Sequence, residues 1–133
     1  FIDSNILVYA HDPANETKHE MAIELIMRLE EAGAGALSIQ VLTEFYAAGS
    51  RKLKFTSQEL SDTIADFSHW KIHRPSHADI LNSIVLQRNA KISWWDALIL
   101  NSAIQIGASI LWTEDLNHNQ RIGDLTIRNP FLG

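Results

Sequence analysis

The chain alternates short apolar runs with longer segments in which apolar residues recur every three or four positions. Short runs rich in Ile, Leu, Val and Trp are typical of buried strands, and the periodic segments are typical of amphipathic helices. The runs predict strands at 1–10, 36–39, 70–73, 109–113 and 125–128. Strands that alternate with helices predict right-handed crossovers, and therefore an α/β fold with helices on both faces of a central parallel sheet.

Capping residues predict where the helices begin and end. Thr17 and Glu20 have the spacing of a capping box, which predicts a helix that begins there and stops at Gly33. The apolar segment 41–48 predicts a second helix that ends near Gly49. Three more helices are predicted at 56–69, 76–89 and 93–107, because each range opens with a hydroxyl residue three positions before an acid.

Length and composition fit one globular domain, which we expect to span residues 1–133, since 46% of the residues are apolar and 20% charged. No apolar run approaches the roughly 20 residues that span a bilayer, so we expect no membrane segment. Cysteine is absent, which rules out disulfides and thiolate metal sites and is consistent with a cytoplasmic protein. Phe1 already lies inside an apolar run, so we expect a few residues to precede it.

The net charge of −5 argues against a protein that coats nucleic acid with a basic surface. It does not argue against a nuclease, because divalent ions bound in an acidic site would face the phosphates. The distribution of acidic residues therefore matters more than their total.

Four acidic residues stand apart from those on polar helix faces: Asp3, Glu44, Asp96 and Asp115. Asp3 interrupts an apolar run, where a carboxylate is costly unless it is paired or coordinated. Glu44 lies among apolar and aromatic residues, and Asp96 follows two tryptophans. Asp115 follows the strand predicted at 109–113, and ligands in such folds bind beyond the carboxyl ends of the strands.

Each of the four also has a purely structural interpretation. Asp3 could cap a following helix, and Glu44 could pair with one of the basic residues that follow it. Asp96 could close a capping box with the hydroxyl residue three positions before it, and Asp115 could be a turn residue.

Taken together, four carboxylates at strand ends and helix starts of one α/β sandwich are expected to converge. Carboxylates packed together repel one another unless cations join them. An all-oxygen ligand set suits Mg²⁺ or Mn²⁺. Two such ions about 3.5–4 Å apart can activate a water and stabilise the leaving oxygen of an in-line displacement. The four acids therefore predict metal-dependent hydrolysis of phosphodiester bonds.

The order and spacing of several short motifs resemble the PIN domain family. The motifs are Ile2-Asp3-Ser4-Asn5, Val41-Leu42-Thr43-Glu44-Phe45-Tyr46, Trp95-Asp96-Ala97-Leu98-Ile99 and Thr113-Glu114-Asp115-Leu116. The closing Ile127-Arg128-Asn129-Pro130-Phe131 resembles a bacterial branch of the family, the VapC-type toxins of toxin–antitoxin pairs. The resemblance implies a three-layer α/β/α sandwich, Mg²⁺- or Mn²⁺-dependent cleavage of RNA, an antitoxin as partner and a homodimer as the assembly.

The resemblance also implies roles for individual residues. The family's acidic quartet falls on Asp3, Glu44, Asp96 and Asp115. Asn5 and Thr113 fall on positions that support the site by hydrogen bonding, and Asn117 could add a ligand or a hydrogen bond. Glu114 stands beside Asp115 and either carboxylate could face the metals, although the family's T-x-D spacing favours Asp115. The resemblance further implies that the first strand ends at Asp3 and that a short helix begins near Asn5.

A basic cluster, Arg51, Lys52 and Lys54, follows the helix of Glu44. It either complements the dipole at a helix end or contacts the RNA backbone or the antitoxin. Histidines at positions 69, 73 and 77 recur every fourth residue, but Pro75 interrupts any helix between them. We therefore interpret them as surface or capping residues rather than as a zinc site.

The four tryptophans could stack on nucleic-acid bases, but most have apolar surroundings. Trp95 and Trp112 lie within apolar runs and are predicted to be in the core, whereas Trp94 is predicted to be exposed near the site.

The favoured function is an endoribonuclease that acts as the toxin of a type II toxin–antitoxin pair. A housekeeping RNA-processing nuclease and a catalytically weak protein-binding module of the same fold are the alternatives. A receiver-like phosphoacceptor domain would need a lysine at a late strand end, and residues 109–114 contain none.

Overall fold

The computed structural model describes residues 1–132, which form six helices and five short strands. In chain order they are α1 (Ser4–His11), α2 (Glu16–Glu31), β1 (Ala36–Ser38), α3 (Ile39–Lys52), α4 (Ser57–Asp66), β2 (Lys71–His73), α5 (His77–Ala90), α6 (Trp94–Gln105), β3 (Ile110–Trp112), β4 (Arg121–Ile122) and β5 (Leu125–Arg128). The strands predicted at 36–39, 70–73, 109–113 and 125–128 are confirmed within a residue or two.

The strands form one continuous hydrogen-bonded arrangement through the extended segment 1–3. β1 pairs in parallel with β2, and β3 pairs in parallel with β5, which also carries the antiparallel β4. Ile2 N–H donates to the carbonyl of Ala36 at 3.0 Å, and Asp3 N–H donates to the carbonyl of Trp112 at 3.0 Å. The order across the sheet is therefore β2, β1, segment 1–3, β3, β5 and β4, and the predicted central parallel sheet is confirmed.

The apolar opening of the chain divides at Asp3, so the strand that its composition predicted over 1–10 is wrong. Residues 1–3 are extended, and α1 begins at Ser4, as the family resemblance implied. The reason is the cap: the Asp3 side chain accepts the Ser4 N–H, and the helix then buries Ile6, Leu7 and Ala10 on one face.

Two helix boundaries differ from prediction for identifiable reasons. Asn15, not Thr17, caps α2 and accepts the N–H of Lys18 at 3.2 Å, so the helix begins earlier than predicted. α3 continues through Gly49 to Lys52. A Cβ at Gly49 would lie 2.5 Å from a methyl carbon of Leu60, so this glycine allows α4 to approach α3 closely instead of ending the helix.

Other boundaries agree with the sequence or shift slightly. The capping box of Thr56 and Glu59 opens α4, which ends at Asp66 rather than at residue 69. Gly33 and Gly107 follow the ends of α2 and α6 with φ of 63° and 76°. Glycine adopts this left-handed backbone at little cost, so both predicted stops are confirmed.

The helices form two groups around the sheet. α1 packs on α2 and α3, α3 packs on α4, and on the other side α5 packs on α6, which lies against β1, β2 and β3. Strand side chains at the centre of the core are fully buried: Ile2, Leu37, Leu111, Leu125 and Ile127. This arrangement confirms the three-layer α/β/α fold. Among residues 1–132, no helix combines the length and apolar character that crossing a membrane requires.

Candidate functional site

Asp3 lies at the end of the central extended segment, where the chain turns into α1. Its Oδ1 accepts the backbone N–H of Ser4 at 2.7 Å, and only 4% of the residue is exposed. The structural interpretation of Asp3 as a helix cap is therefore correct. The cap also fixes its carboxylate at the carboxyl end of a parallel strand, where α/β folds place ligands.

A hydrogen-bond network around Thr113 connects the carboxylates at this edge of the sheet. The hydroxyl of Thr113 donates to Asp3 Oδ2 at 2.9 Å and accepts the N–H of Asp115 at 3.1 Å. Asn5 Nδ2 donates both to the Thr113 hydroxyl at 3.2 Å and to Asp115 Oδ2 at 3.0 Å. Asn5 and Thr113 thus hold α1 and the end of β3 in a fixed relation.

Three of the four predicted acids form a compact acidic cluster, defined here as Asp3, Asp96 and Asp115. One carboxylate oxygen from each lies within 4.8 Å of the others. Asp3 is buried, Asp96 is partly buried at the start of α6, and Asp115 is exposed. The cluster therefore opens to solvent on the side of Asp115.

Burial and mutual repulsion raise the pKa values of two of these acids. The pKa of Asp3 is raised to about 7, mainly by burial; hydrogen bonds from Ser4 and Thr113 oppose the rise, and the nearby charges of Glu44 and Asp115 contribute to it. Burial is also the main cause of a raised pKa at Asp96, and the charge of Asp115 adds to it. Such perturbed acids in a cleft are typical of functional sites.

Glu44, the fourth predicted acid, lies beside the acidic cluster and outside the group of three. Its Oε1 accepts the hydroxyl of Ser4 at 3.0 Å, and that hydroxyl also lies 3.4 Å from Asp3 Oδ1. Its Oε2 accepts Nε2 of Gln40 at 3.3 Å. These bonds, and not a salt bridge to the basic residues at the end of α3, position Glu44 next to the cluster.

Glu114 points to a different set of partners from Asp115. Its carboxylate accepts the hydroxyl of Tyr9 at 2.8 Å and the ammonium of Lys18 at 2.8 Å. Asp115 is the residue that joins Asp3 and Asp96. The geometry thus separates the two neighbouring acids, with Asp115 in the cluster and Glu114 in an ion pair.

The remaining predicted residues lie around or away from the cluster. Asn117 is exposed two positions after Asp115, and its supporting role stays a prediction. Arg51 and Lys52 form the last turn of α3, where they complement the helix dipole, and Lys54 follows with a φ of 56°. Arg51 lies seven positions after Glu44 on the helix, which is about 10 Å along the axis.

Residues that the sequence interpretation missed also contribute to the site. Gln40 donates to Glu44 and, at 3.2 Å, to the carbonyl of Trp95, so it ties α3 to the start of α6. A residue four positions before a glutamate lies on the same helix face, and that spacing was a usable signal for Gln40. The prediction that Trp95 is in the core is wrong, because 64% of it is exposed.

A second polar cluster involves one of the three histidines. His73 Nδ1 lies 2.8 Å from the hydroxyl of Ser102, and its Nε2 lies 3.5 Å from Asp79. Asp79 also accepts Nδ2 of Asn101 at 2.9 Å. Ser102 is 3% exposed and Asp79 is 7% exposed, so this group is an internal link between β2, α5 and α6, and the interpretation of His73 as a surface residue is wrong.

The acidic cluster has the donor set and the surroundings of a site for a divalent cation. Its ligand atoms are carboxylate oxygens, which suit Mg²⁺ and Mn²⁺. Asn5 Oδ1 is buried and has no hydrogen-bond donor among residues 1–132. Because buried acceptors normally have a partner, this atom calls for a water or an ion beside it. The residues present therefore fit Mg²⁺ or Mn²⁺.

Comparisons with known proteins agree with the fold and with the motifs. Among solved structures, the chain is similar to one described as VapBC2 from Rickettsia felis bound to a DNA fragment from its promoter, with 24% identity, a TM-score of 0.62 and coverage of 96% of each chain. A search of curated proteins gave no significant match. The family model described as PIN domain matches residues 1–123. Since this match covers most of its length, the chain belongs to the PIN domain family.

Proposed function

We propose that this chain is a metal-dependent endoribonuclease and the toxin of a type II toxin–antitoxin pair. The observation that carries the proposal is the acidic cluster, in which three carboxylates from three different elements bring their oxygens within 4.8 Å of one another. A protein places repelling acids so close together at a cost in stability, and a bound cation offsets that cost. Membership of the PIN family supports a nuclease in particular.

In this proposal, Asp3, Asp96 and Asp115 hold the first Mg²⁺ or Mn²⁺ ion, and Glu44 completes the site for that ion or a second. A bound ion supplies charge neutralisation at the scissile phosphate and a water acidic enough to act as nucleophile. Asn5 and Thr113 keep the carboxylates of Asp3 and Asp115 in place through the network described above. The side chains themselves remain unmodified through the reaction.

The basic residues Arg51, Lys52 and Lys54 are the proposed contacts for the RNA backbone. They lie at the end of the helix that carries Glu44, so a strand that passes the acidic cluster can continue along α3. The positive charges of these three basic residues would offset part of the repulsion between RNA and a chain of net charge −5. RNA and an antitoxin are cytoplasmic partners, and the proposal places the chain in the cytoplasm with them.

The antitoxin partner is supported by an apolar groove between α2 and α4. The groove measures about 330 Å³ and its floor is formed by Ile26, Met27, Phe67 and Trp70. Three acidic residues line the same groove: Glu30, Glu31 and Asp66. An apolar floor with an acidic rim is complementary to an amphipathic helix with basic flanks, which is the chemistry we propose for the antitoxin segment.

A gene neighbourhood and one substitution test the antitoxin proposal. A short reading frame for a DNA-binding protein immediately upstream would mark a toxin rather than a housekeeping nuclease. Co-expressed with that product, Met27→Arg should lose the complex, because it places a cation in the apolar floor. Ser61→Arg, which adds the same charge at an exposed position on α4 outside the groove lining, should keep it. A complex that survives Met27→Arg would exclude this groove.

The proposed homodimer is supported by an exposed apolar face on α5. Ile80, Leu81, Ile84 and Val85 are each at least 40% exposed and follow the spacing of one helix face. Light scattering should give the mass of a dimer, and Leu81→Glu should give the mass of a monomer. A wild-type monomer at micromolar concentration would overturn this part of the proposal.

End-group analysis of the RNA products tests the reaction itself. Hydrolysis by an activated water should leave a 5′-phosphate, which a 5′-monophosphate-dependent exonuclease degrades, and a 3′-hydroxyl. A 5′-hydroxyl end would contradict the proposed chemistry, because it indicates attack by the neighbouring ribose hydroxyl. A chain without cleavage and without affinity for Mn²⁺ would be the protein-binding module of the same fold.

A further inference from the structure

Trp95 presents an exposed indole at the start of α6. Aromatic side chains carry much of a protein's buried apolar surface, yet 64% of this residue is accessible to solvent. The neighbouring Ala97 is fully buried, so the helix turns the indole outward while it packs its other face on the core. The exposure is thus a property of this position and not of a frayed end.

The backbone of Trp95 lies next to the acidic cluster and is fixed there. Asp96 is the next residue and its carboxylate belongs to the cluster, while the side chain of Trp95 leaves the adjacent backbone position about 100° around the helix. Gln40 Nε2 donates to the Trp95 carbonyl at 3.2 Å and to Glu44 at 3.3 Å. The backbone of Trp95 is therefore held by the same side chain that positions Glu44.

We propose that Trp95 is a stacking platform for an unpaired nucleobase next to the scissile phosphate. The inference rests on the proposed function and adds to it a residue that positions the substrate. Away from the metal site, the net charge of −5 repels the phosphates of RNA, so contacts that do not depend on charge gain importance. An aromatic face accepts any base, and it can do so only where the base is free of a duplex.

The test is RNA binding by variants of Trp95 in an Asp3→Asn background with Mn²⁺ present. This background variant removes a negative charge and prevents cleavage, so RNA stays intact while its affinity is measured. The measurement is fluorescence anisotropy with two fluorescein-labelled probes, a random-sequence single strand and a matched duplex. Trp95→Leu should weaken single-strand binding about tenfold, the typical effect of losing one stacked base, and leave duplex binding unchanged. Trp95→Phe should restore most of the affinity.

Tyr46→Leu is the matched control. Tyr46 is also an exposed aromatic, but it lies two residues beyond Glu44 on α3 and is turned about 200° away from it. Its removal should leave single-strand affinity unchanged. Three results would each contradict the proposed stacking role of Trp95. They are equal binding by Trp95→Leu and the parent, no recovery of affinity in Trp95→Phe, and an equal loss of affinity in Tyr46→Leu.

Two further outcomes distinguish this inference from the proposed function. If the parent chain binds RNA and Trp95→Leu only splits an oligomer, then the indole belongs to an interface between copies and the platform is wrong, while the nuclease proposal stands. If the parent binds no RNA and the wild-type chain cleaves none, both proposals fail together.

Discussion

The ammonium of Lys18 lies 2.8 Å from Oε2 of Glu114, the residue directly before Asp115. Tyr9 donates its hydroxyl to the other oxygen of Glu114 at 2.8 Å, and the Lys18 ammonium also lies 4.9 Å from the centre of the Tyr9 ring. The ion pair is only partly exposed, with 33% of the Lys18 side chain and 22% of the Glu114 side chain accessible. It anchors the loop that carries Asp115 to α1 and α2.

Removal of this anchor should weaken metal binding more than it slows the reaction. Lys18→Met leaves the Glu114 carboxylate without its cation. The loop is then less firmly anchored, and Glu114 is free to compete with Asp115 for the metal ion. We expect the Mn²⁺ concentration for half-maximal cleavage to rise roughly tenfold, as happens when residues that orient metal ligands are removed, while the rate at saturating Mn²⁺ changes little. Lys18→Arg should retain wild-type metal dependence. An unchanged Mn²⁺ requirement in Lys18→Met would show that the pair contributes only to packing.

The raised pKa of Asp3 gives the metal-free protein a specific pH dependence. The folded pKa is about 7 and the ordinary value is 3.8, so between these values the folded chain holds a proton that the unfolded chain has lost. The free energy of unfolding should therefore decrease as pH rises through this window, by about 1.4 kcal/mol per unit of pKa difference. The measurement is thermal unfolding in EDTA from pH 5 to pH 8.

Asp3→Asn is the control for that dependence. The amide keeps the shape and can still accept the Ser4 N–H, but it carries no charge at any pH, so the variant should lose less stability than the wild type over the same range. Added Mn²⁺ should stabilise the wild type more at pH 8 than at pH 5.5, because the ion competes with the proton for Asp3. Parallel pH profiles of the two chains in EDTA would contradict the raised pKa of Asp3.

Glu44→Gln should show that binding of the first metal ion is not sufficient for full cleavage activity. Glu44 lies outside the group of Asp3, Asp96 and Asp115, so the tightest Mn²⁺ should bind almost normally when its charge is removed. Cleavage at limiting Mn²⁺ should nevertheless fall about tenfold or more, because Glu44 borders the cluster through Ser4. Isothermal titration gives the affinity, and Asp115→Asn is the comparison that should lose the tight ion. Loss of that ion in Glu44→Gln as well would make all four acids its ligands.

The basic cluster makes a prediction about ionic strength. If Lys52 contacts a phosphate, Lys52→Ala should weaken binding of any single-stranded RNA and reduce the slope of log affinity against log salt by about 0.7. Lys71 is an exposed lysine at the start of β2, which is the opposite end of the strand from the site, and Lys71→Ala should change neither quantity. Equal effects of the two substitutions would indicate that only the net charge matters.

The alternation of strands and helices was predictable because it depends on short-range apolar patterns. Four strands lie within a residue or two of their predicted places, whereas the strand predicted over 1–10 was wrong, α2 has a different cap, and α3 continues four residues beyond its predicted end. Asn15 displaced Thr17 as the cap because both residue types can accept the first free N–H groups of a helix. Gly49 failed as a helix end because its role is the close contact with Leu60, which no local pattern records.

The site was predictable as a list of acids but not as a set of partners. Asp3 and Asp115 lie 112 residues apart, and their link through Asn5 and Thr113 depends on how α1 meets the end of β3. The pairing of Glu114 with Lys18 depends in the same way on the packing of α2. Trp95 was misplaced because an apolar sequence context does not specify which side of a helix faces the core.

The most direct test of the central claim is cleavage of a mixed cellular RNA pool by the purified chain with Mn²⁺, with Mg²⁺ and with EDTA, beside the Asp3→Asn variant. The account predicts discrete cuts with the divalent ions, none with EDTA, and none with the variant, which should remain folded by circular dichroism. Cuts that persist in EDTA or in Asp3→Asn would contradict a reaction that depends on metal ions held by the acidic cluster.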